Sequence, residues 1–275
     1  MIRQKNPECL KEKKLFIFDI DGTLALGDWI LPGTKELISY LRETGRRVFF
    51  STNNSTKSRE DYVRFFAKHH IDIDMEEILT AGELTLIFCR EYLKDSKIFF
   101  MGTSSLKRQL ESCGLLITEQ YEEDVSCVLV TFDTTLSFQK LEDASRILRN
   151  GEVIFLASNP DLCCPTPFGA VPDCGSICEM LKNATGREPK FVGKPYPDIV
   201  NQCRKIAGVS REETVLVGDR IYTDMACAEN AGVEGILVLS GEATKKNALD
   251  CGLLIPYVFK SVHEIYQSLV KIDAG

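Results

Sequence analysis

Leu15-Phe16-Ile17-Phe18-Asp19-Ile20-Asp21-Gly22-Thr23 is an apolar run that opens into two carboxylates and a turn. An unbroken apolar run, without polar alternation, is the pattern of a parallel strand covered by helices on both faces. The pattern returns at Val48-Phe49-Phe50 and Val215-Leu216-Val217. Helical segments lie between these runs. Leu37, Ile38 and Leu41 form a stripe closed by Gly45, and after Pro197 the residues Ile199, Val200, Cys203, Ile206 and Ala207 share one helical face ended by Gly208. Repeated strand and helix units of this kind predict an α/β fold with a doubly wound parallel sheet.

Working outward, the stretch 81–188 has its own alternation: Ile98-Phe99-Phe100-Met101, Val125 to Val130 and Val153-Ile154-Phe155-Leu156 are strand-like, with helical segments between. The chain has 275 residues, a length at which one core usually divides in two. The expected organisation is therefore a core of residues 1–80 and 189–275 with an inserted α/β domain at 81–188, bracketed by Ala81-Gly82 and by Gly186 and Pro189.

Hydrophobic residues are 44% and charged residues 27%, which excludes wholesale disorder. Lys plus Arg total 33 against 40 Asp plus Glu, a net charge of −7 that repels nucleic acid on average. A small anion needs only a local positive site. No apolar run approaches the ~18 residues of a membrane span, and no apolar stretch follows the charged N-terminus, so neither membrane nor secretory signal is expected. The eleven cysteines include no C-x-x-C pair and read as reduced, which points to the cytoplasm. Cys163, Cys164, Cys174 and Cys178 cluster, but at no usual zinc spacing.

Strand ends are where a doubly wound sheet builds its site. Asp19 and Asp21 leave the first run. Phe49-Phe50 leads into Ser51-Thr52-Asn53-Asn54-Ser55, Phe191-Val192 into Gly193-Lys194-Pro195, and Val215-Leu216-Val217 into Gly218-Asp219-Arg220 with Thr223-Asp224. Each has a plain alternative: an Asp-Gly turn, a helix cap at Thr52 or Asn53, a solvated lysine. Chance gives a D-x-D-G-T string in on the order of one in several hundred chains of this length, and placement after an apolar strand reduces that further. Taken together, the four tracts put a hydroxyl, an ammonium and four carboxylates at one edge of one sheet.

These four tracts, in this order, resemble the motifs of the haloacid dehalogenase superfamily. The Ser51 to Ser55 tract, Val192-Gly193-Lys194-Pro195-Tyr196-Pro197 and Gly218-Asp219-Arg220 with Thr223-Asp224 are similar to the NagD-like, or p-nitrophenylphosphatase-like, phosphatases of subclass IIA. That family places a large α/β cap between its second and third motifs, and here 141 residues separate Thr52 from Lys194. The resemblance implies a Rossmann-like doubly wound parallel sheet core with an inserted α/β cap domain. It implies an Mg²⁺-dependent phosphatase acting on small phosphorylated metabolites through an aspartyl-phosphate.

On the same resemblance Asp19 is the nucleophile and Asp21 the acid and base. Thr52 and Lys194 hold the phosphoryl group, helped by Gly22 and Asn53. The ion rests on Asp19, the Asp21 carbonyl, Asp219 and Asp224. In the cap, Asn159, Asp161 and Asp173 are the candidates for reading the substrate. The segment Val171-Pro172-Asp173-Cys174-Gly175 departs from the Pro-Gly-x-Gly of many relatives. Caps of this size often offer a dimer face, so a homodimer is allowed. Two other readings share the acidic cluster. A phosphorylatable receiver module lacks an acid like Asp21 and an inserted domain; a halide-releasing member of the superfamily lacks the second acid and the metal.

Overall fold

The computed structural model describes residues 5–54, 58–166 and 169–275. Ser55, the last residue of the second tract, lies outside them. The chain divides into two compact units, one of Met1–Thr52, Lys57–Leu79 and Lys194–Gly275, the other of Asn53–Thr56 and Thr80–Gly193.

The first unit begins with β1 (Leu15–Asp19), a small hairpin of β2 (Ala25–Leu26) and β3 (Trp29–Ile30), α1 (Thr34–Glu43), β4 (Arg47–Thr52), α2 (Arg59–Lys68) and β5 (Ile78–Thr80). The intervening unit contains α3 (Ala81–Tyr92), β6 (Lys97–Met101), α4 (Ser104–Ser112), β7 (Leu116–Thr118), β8 (Val125–Val130), α5 (Phe138–Leu148), β9 (Ile154–Ala157), the hairpin β10 (Cys163–Thr166) and β11 (Gly169–Pro172), α6 (Cys174–Thr185) and β12 (Lys190–Phe191). The first unit then resumes with α7 (Asp198–Ala207), β13 (Thr214–Gly218), α8 (Ala226–Ala231), β14 (Glu234–Val238), α9 (Lys245–Asp250), β15 (Tyr257–Phe259) and α10 (Val262–Ala274).

Its six-stranded sheet has the order β15-β14-β13-β1-β4-β5. Counting only the strands of this sheet, that is 6-5-4-1-2-3, the Rossmann order, with its reversal between β1 and β13. These two strands pair in parallel, Leu15 with Thr214 through Phe18 with Val217. Every residue of β1 and β13 is buried, as their unbroken apolar runs require. Helices cover the sheet through amphipathic stripes. In α1 the buried positions are Thr34, Leu37, Ile38 and Leu41, spaced at one helical face, and the chain leaves through Gly45 at φ +76°. A capping box between Ser58 and Asp61 starts α2, which buries Tyr62 and Phe66; the Phe66 ring lies 5.2 Å from that of Phe50. Burying each such phenylalanine contributes roughly 1.5–3 kcal/mol.

The helix after Pro197 runs to its cap at Gly208 and buries Ile199, Val200 and Cys203. Ile206, which the spacing placed on that face, lies in the final turn and is 45% exposed, so the buried stripe stops at Cys203.

The second unit has a parallel sheet ordered β12-β9-β8-β6-β7, equivalent to 5-4-3-1-2 within this sheet, a doubly wound arrangement of its own. Its core gathers Phe99, Met101, Val128, Val130, Phe155, Ile177 and Leu181, with Cys174 and Cys178 packed among them. Cys163 is exposed and Cys164 half-buried, and among the described residues no three cysteines approach one another as metal ligands would. The sequence boundary at 188/189 falls short of the structural one. Lys190 and Phe191 pair in parallel with Leu156 and Ala157, so β12 is an edge strand of the second sheet and the chain changes unit between Gly193 and Lys194. Lys194 therefore does not leave a strand of the six-stranded sheet, as the four tracts had led us to expect. A two-residue strand has too little pattern to show which sheet it joins. No helix of the described residues is long and apolar enough to cross a membrane.

Candidate active site

The reversal of strand order places Asp19, at the end of β1, beside Asp219, which follows β13. Asp224 joins them from a single π-type turn at Ile221–Met225, in which the amide of Met225 bonds the carbonyl of Arg220 five residues back. Asp19, Asp219 and Asp224 are all buried, and each offers a carboxylate oxygen such that the three lie within 4.8 Å of one another.

Lys194 is 1% exposed and reaches into this group. Its Nζ lies 2.5 Å from Asp19 Oδ1 and 2.7 Å from Asp224 Oδ1, and donates to the Ser51 carbonyl at 3.4 Å. Burial alone would push the ammonium down, but the carboxylates of Asp19 and Asp224 more than reverse this and hold it charged, above its ordinary pKa. For the acids, burial is also the largest cause. It raises Asp19 well above the usual range against the pull of Lys194, with the charges of Asp224 and Asp219 adding to the rise. Asp219 is pushed up to about 6 by burial and by Asp224.

One ammonium against three buried carboxylates leaves negative charge uncompensated. Asp219 Oδ1 is buried with no hydrogen-bond partner. An orphaned carboxylate oxygen in an acid-rich pocket of oxygen donors suits a hard divalent cation such as Mg²⁺, so the residues present fit the ion the sequence implied.

The remaining tract residues surround this centre unevenly. Asp21 is half-buried and its side chain is not a member of the triad. Gly22 has φ +90°, and a Cβ there would sit 2.4 Å from Asp219 Oδ2, so only glycine permits the turn and the approach. Thr23 Oγ1 donates to Asp19 Oδ2 at 3.5 Å. Thr52 is buried at the end of β4.

Asn53, next in the chain, belongs with the second unit. There its Nδ2 donates to Asp161 Oδ2 at 2.7 Å, an oxygen that also accepts from Asn159 Nδ2 at 2.9 Å, while Ser158 Oγ donates to Asn159 Oδ1 at 2.7 Å. The structure thus joins Asn53, Asn159 and Asp161 in one buried network. Asp173 stands apart from it as the N-cap of α6, its Oδ1 accepting from the Cys174 amide at 2.6 Å.

One element escaped the sequence reading. The loop after β14 sends the Glu242 amide to Asp219 Oδ2 at 2.7 Å and the Ala243 amide to the Asp219 carbonyl at 3.0 Å. The available signal was the apolar run Ile236-Leu237-Val238 ending at Ser240-Gly241, a further strand end of the same sheet.

A haloacid dehalogenase-like hydrolase family model matches residues 16–116, and a second, for HAD-like hydrolases, matches residues 191–265. Together with the relatives below, they show that the chain belongs to the haloacid dehalogenase-like hydrolases. It is 32% identical over 262 residues, 95% of its length, to an acid sugar phosphatase of Staphylococcus aureus, all of whose sequence is covered. The crystal structure of a 4-nitrophenylphosphatase from Thermotoga maritima superposes with a TM-score of 0.88 at 37% identity, covering 94% of this chain and 98% of that one. NagD from E. coli K-12 gives 0.84 at 28% identity, with 92% and 98% covered. Within the superfamily its place is with the NagD-like phosphatases of subclass IIA, and it is a phosphoric monoester hydrolase.

Proposed function

We propose that this protein is an Mg²⁺-dependent phosphatase of small phosphorylated metabolites that works through an aspartyl-phosphate. The observation that supports this most strongly is the buried cluster of Asp19, Lys194, Asp219 and Asp224 at the strand-order reversal.

A phosphate monoester resists an anionic nucleophile because its own oxygens are charged, so positive charge must surround the phosphoryl group. Bound on Asp19, the Asp21 carbonyl, Asp219 and Asp224, Mg²⁺ would neutralise phosphoryl oxygens and favour the ionised form of Asp19. In this reading a carboxylate oxygen of Asp19 attacks phosphorus, the ester P–O bond breaks, and Asp21 gives its proton to the departing alkoxide. Water then attacks the acyl phosphate and loses a proton to Asp21, which releases inorganic phosphate and restores the Asp19 carboxylate. Lys194 holds Asp19 in place and adds a fixed charge toward the phosphoryl group, and the Thr52 hydroxyl and the amides of the Gly22 turn supply hydrogen bonds.

Three further points belong to the same proposal. The inserted unit selects the leaving group, and its Asn53, Asn159 and Asp161 network sets the local geometry for that selection. A homodimer through that unit is consistent with the size of the insert. The eleven cysteines, none of which forms a disulfide among the described residues, are in keeping with the cytoplasm.

The deciding experiment measures phosphate release from a panel of sugar, nucleotide, glycerol and glycolate phosphates, with Mg²⁺ and with chelator. Release that persists in chelator, or none from any ester, would overturn the proposal. A stable phosphoprotein without turnover would favour a receiver.

A further inference from the structure

The loop between β14 and α9 holds Asp219 at two points and the neighbouring Gly22 turn at a third. The Glu242 amide donates to Oδ2, the Ala243 amide to the Asp219 carbonyl, and Ser240 Oγ donates at 2.7 Å to the carbonyl of Gly22, whose turn flanks the same carboxylate. The space is equally restricted. A Cβ on Gly241 would lie 2.0 Å from Asp219 Oδ2 and 2.9 Å from Asp219 Cβ, and a Cβ on Gly22 would reach the same oxygen from another loop. The two glycines differ in their reason for being glycine. Gly22 also needs its positive φ, whereas Gly241 has no left-handed backbone and is exposed, so neither conformation nor core packing requires a missing side chain there. What remains is clearance for one carboxylate.

Clearance and hydrogen bonding act on the two oxygens of Asp219 differently. Oδ2 is fixed by an amide and hemmed by two glycines, while Oδ1 is buried with no hydrogen-bond partner. A carboxylate with one oxygen locked has lost its freedom to rotate, and its other oxygen is presented in a single direction. Outer contacts of this kind orient metal ligands and commonly change metal affinity.

We propose that Ser240, Gly241 and the Glu242 amide form a positioning clamp that locks Oδ2 of Asp219 and thereby delivers Oδ1 to a divalent cation. This rests on the reading of the acid triad as an Mg²⁺ site. Ser240 and Gly241 are positioning residues, since they touch the ligand and its neighbouring turn and not the reacting atoms.

The test titrates Mg²⁺ calorimetrically into the full chain without substrate, for the wild type, Gly241→Ala, Ser240→Ala and Ser240→Thr. Circular dichroism and urea midpoints establish that each is folded. Gly241→Ala should weaken Mg²⁺ binding roughly 10–100-fold, the range typical of lost outer contacts. Ser240→Ala should weaken it several-fold, and Ser240→Thr, which keeps the hydroxyl, should restore it, a rescue that a general loosening of the loop would not show. Folded Gly241→Ala with wild-type affinity overturns the clamp. If Gly241→Ala does not fold, the serine pair decides: wild-type affinity in Ser240→Ala, or a loss that threonine fails to restore, overturns it. A wild-type protein that takes up no Mg²⁺ removes the metal reading and the clamp with it, whereas normal uptake by wild type and variants alike removes the clamp alone.

Discussion

Replacing Lys194 by methionine keeps much of the side chain's length and removes its charge from between two buried carboxylates. At an effective dielectric of ~20, a unit charge pair at the observed 2.5 and 2.7 Å interacts by about 6 kcal/mol, so the ammonium has two such attractions to offset its own desolvation. The net loss on removing one member of a buried ion pair is smaller, about 3–5 kcal/mol. Against a total stability of ~5–15 kcal/mol this is a large fraction. Lys194→Met in chelator should therefore unfold at a markedly lower urea concentration, followed by far-UV circular dichroism. Added Mg²⁺ should return part of the lost stability, about 2.7 kcal/mol at a hundredfold excess over Kd, because the ion supplies positive charge to the same carboxylates. Activity should not return, since the charge beside Asp19 is gone. A loss in chelator below ~1 kcal/mol would refute this reasoning, as it would place the ammonium among groups that contribute little to stability.

Asp19→Asn should give no phosphoprotein on acid quench and intact mass measurement, whereas Asp21→Asn, with p-nitrophenyl phosphate, should accumulate an adduct because the nitrophenolate leaves without being protonated while the attacking water still has to give up a proton; adducts on both variants would refute the assignment. Asp219→Asn removes the charge and the presented oxygen of one triad member, so Mg²⁺ affinity should fall at least tenfold and activity should recover in part at high Mg²⁺; the checks are metal titration and a chelator series. Asp273 accepts from Arg46 Nη1 and Nη2 at 2.8 and 2.9 Å and from the Tyr40 hydroxyl at 2.9 Å, and the Arg46 donors first of all hold its carboxyl below the usual range. With the folded value below the unfolded one of ~3.9, this contribution is present above about pH 4 and is lost as pH falls through the folded value. Asp273→Asn should lower the urea midpoint at pH 6 and narrow its difference from wild type by about pH 2; a constant difference across that window would remove the linkage.

The parallel strands were legible because burial on both faces leaves no room for polar alternation, and Leu15 to Phe18 and Val215 to Val217 show that directly. The triad was legible for the same reason, since its carboxylates stand at or just beyond the ends of those runs. Pairing between distant segments was harder to see. Asn53 and Asp161 are 108 positions apart, and nothing local to either records that they meet. Lys194 misled in the opposite way: Phe191 and Val192 look like the end of a core strand, while two residues of β12 suffice to join another sheet. The Ser240 to Ala243 loop was missed because Ser-Gly-Glu is ordinary turn chemistry, and its purpose lies in the space it leaves for Asp219.

The pairing of β1 with β13 also governs the order in which the protein can be made. Leu15 and its partner Thr214 are 199 positions apart, and between them the whole inserted unit is synthesised. At ~5–20 residues per second, β1 waits roughly 10–40 s for the strand that covers one of its edges. During that interval its sheet consists of β1, β4 and β5, with an apolar edge open to other chains. The insert, contiguous from Thr80 to Gly193 apart from its short Asn53–Thr56 piece, has nearly all its pairing partners in hand first. A nascent chain of this protein is thus a finished insert attached to half a sheet, and it is in that half-built state, before Asp219 exists, that it most needs protection from its neighbours.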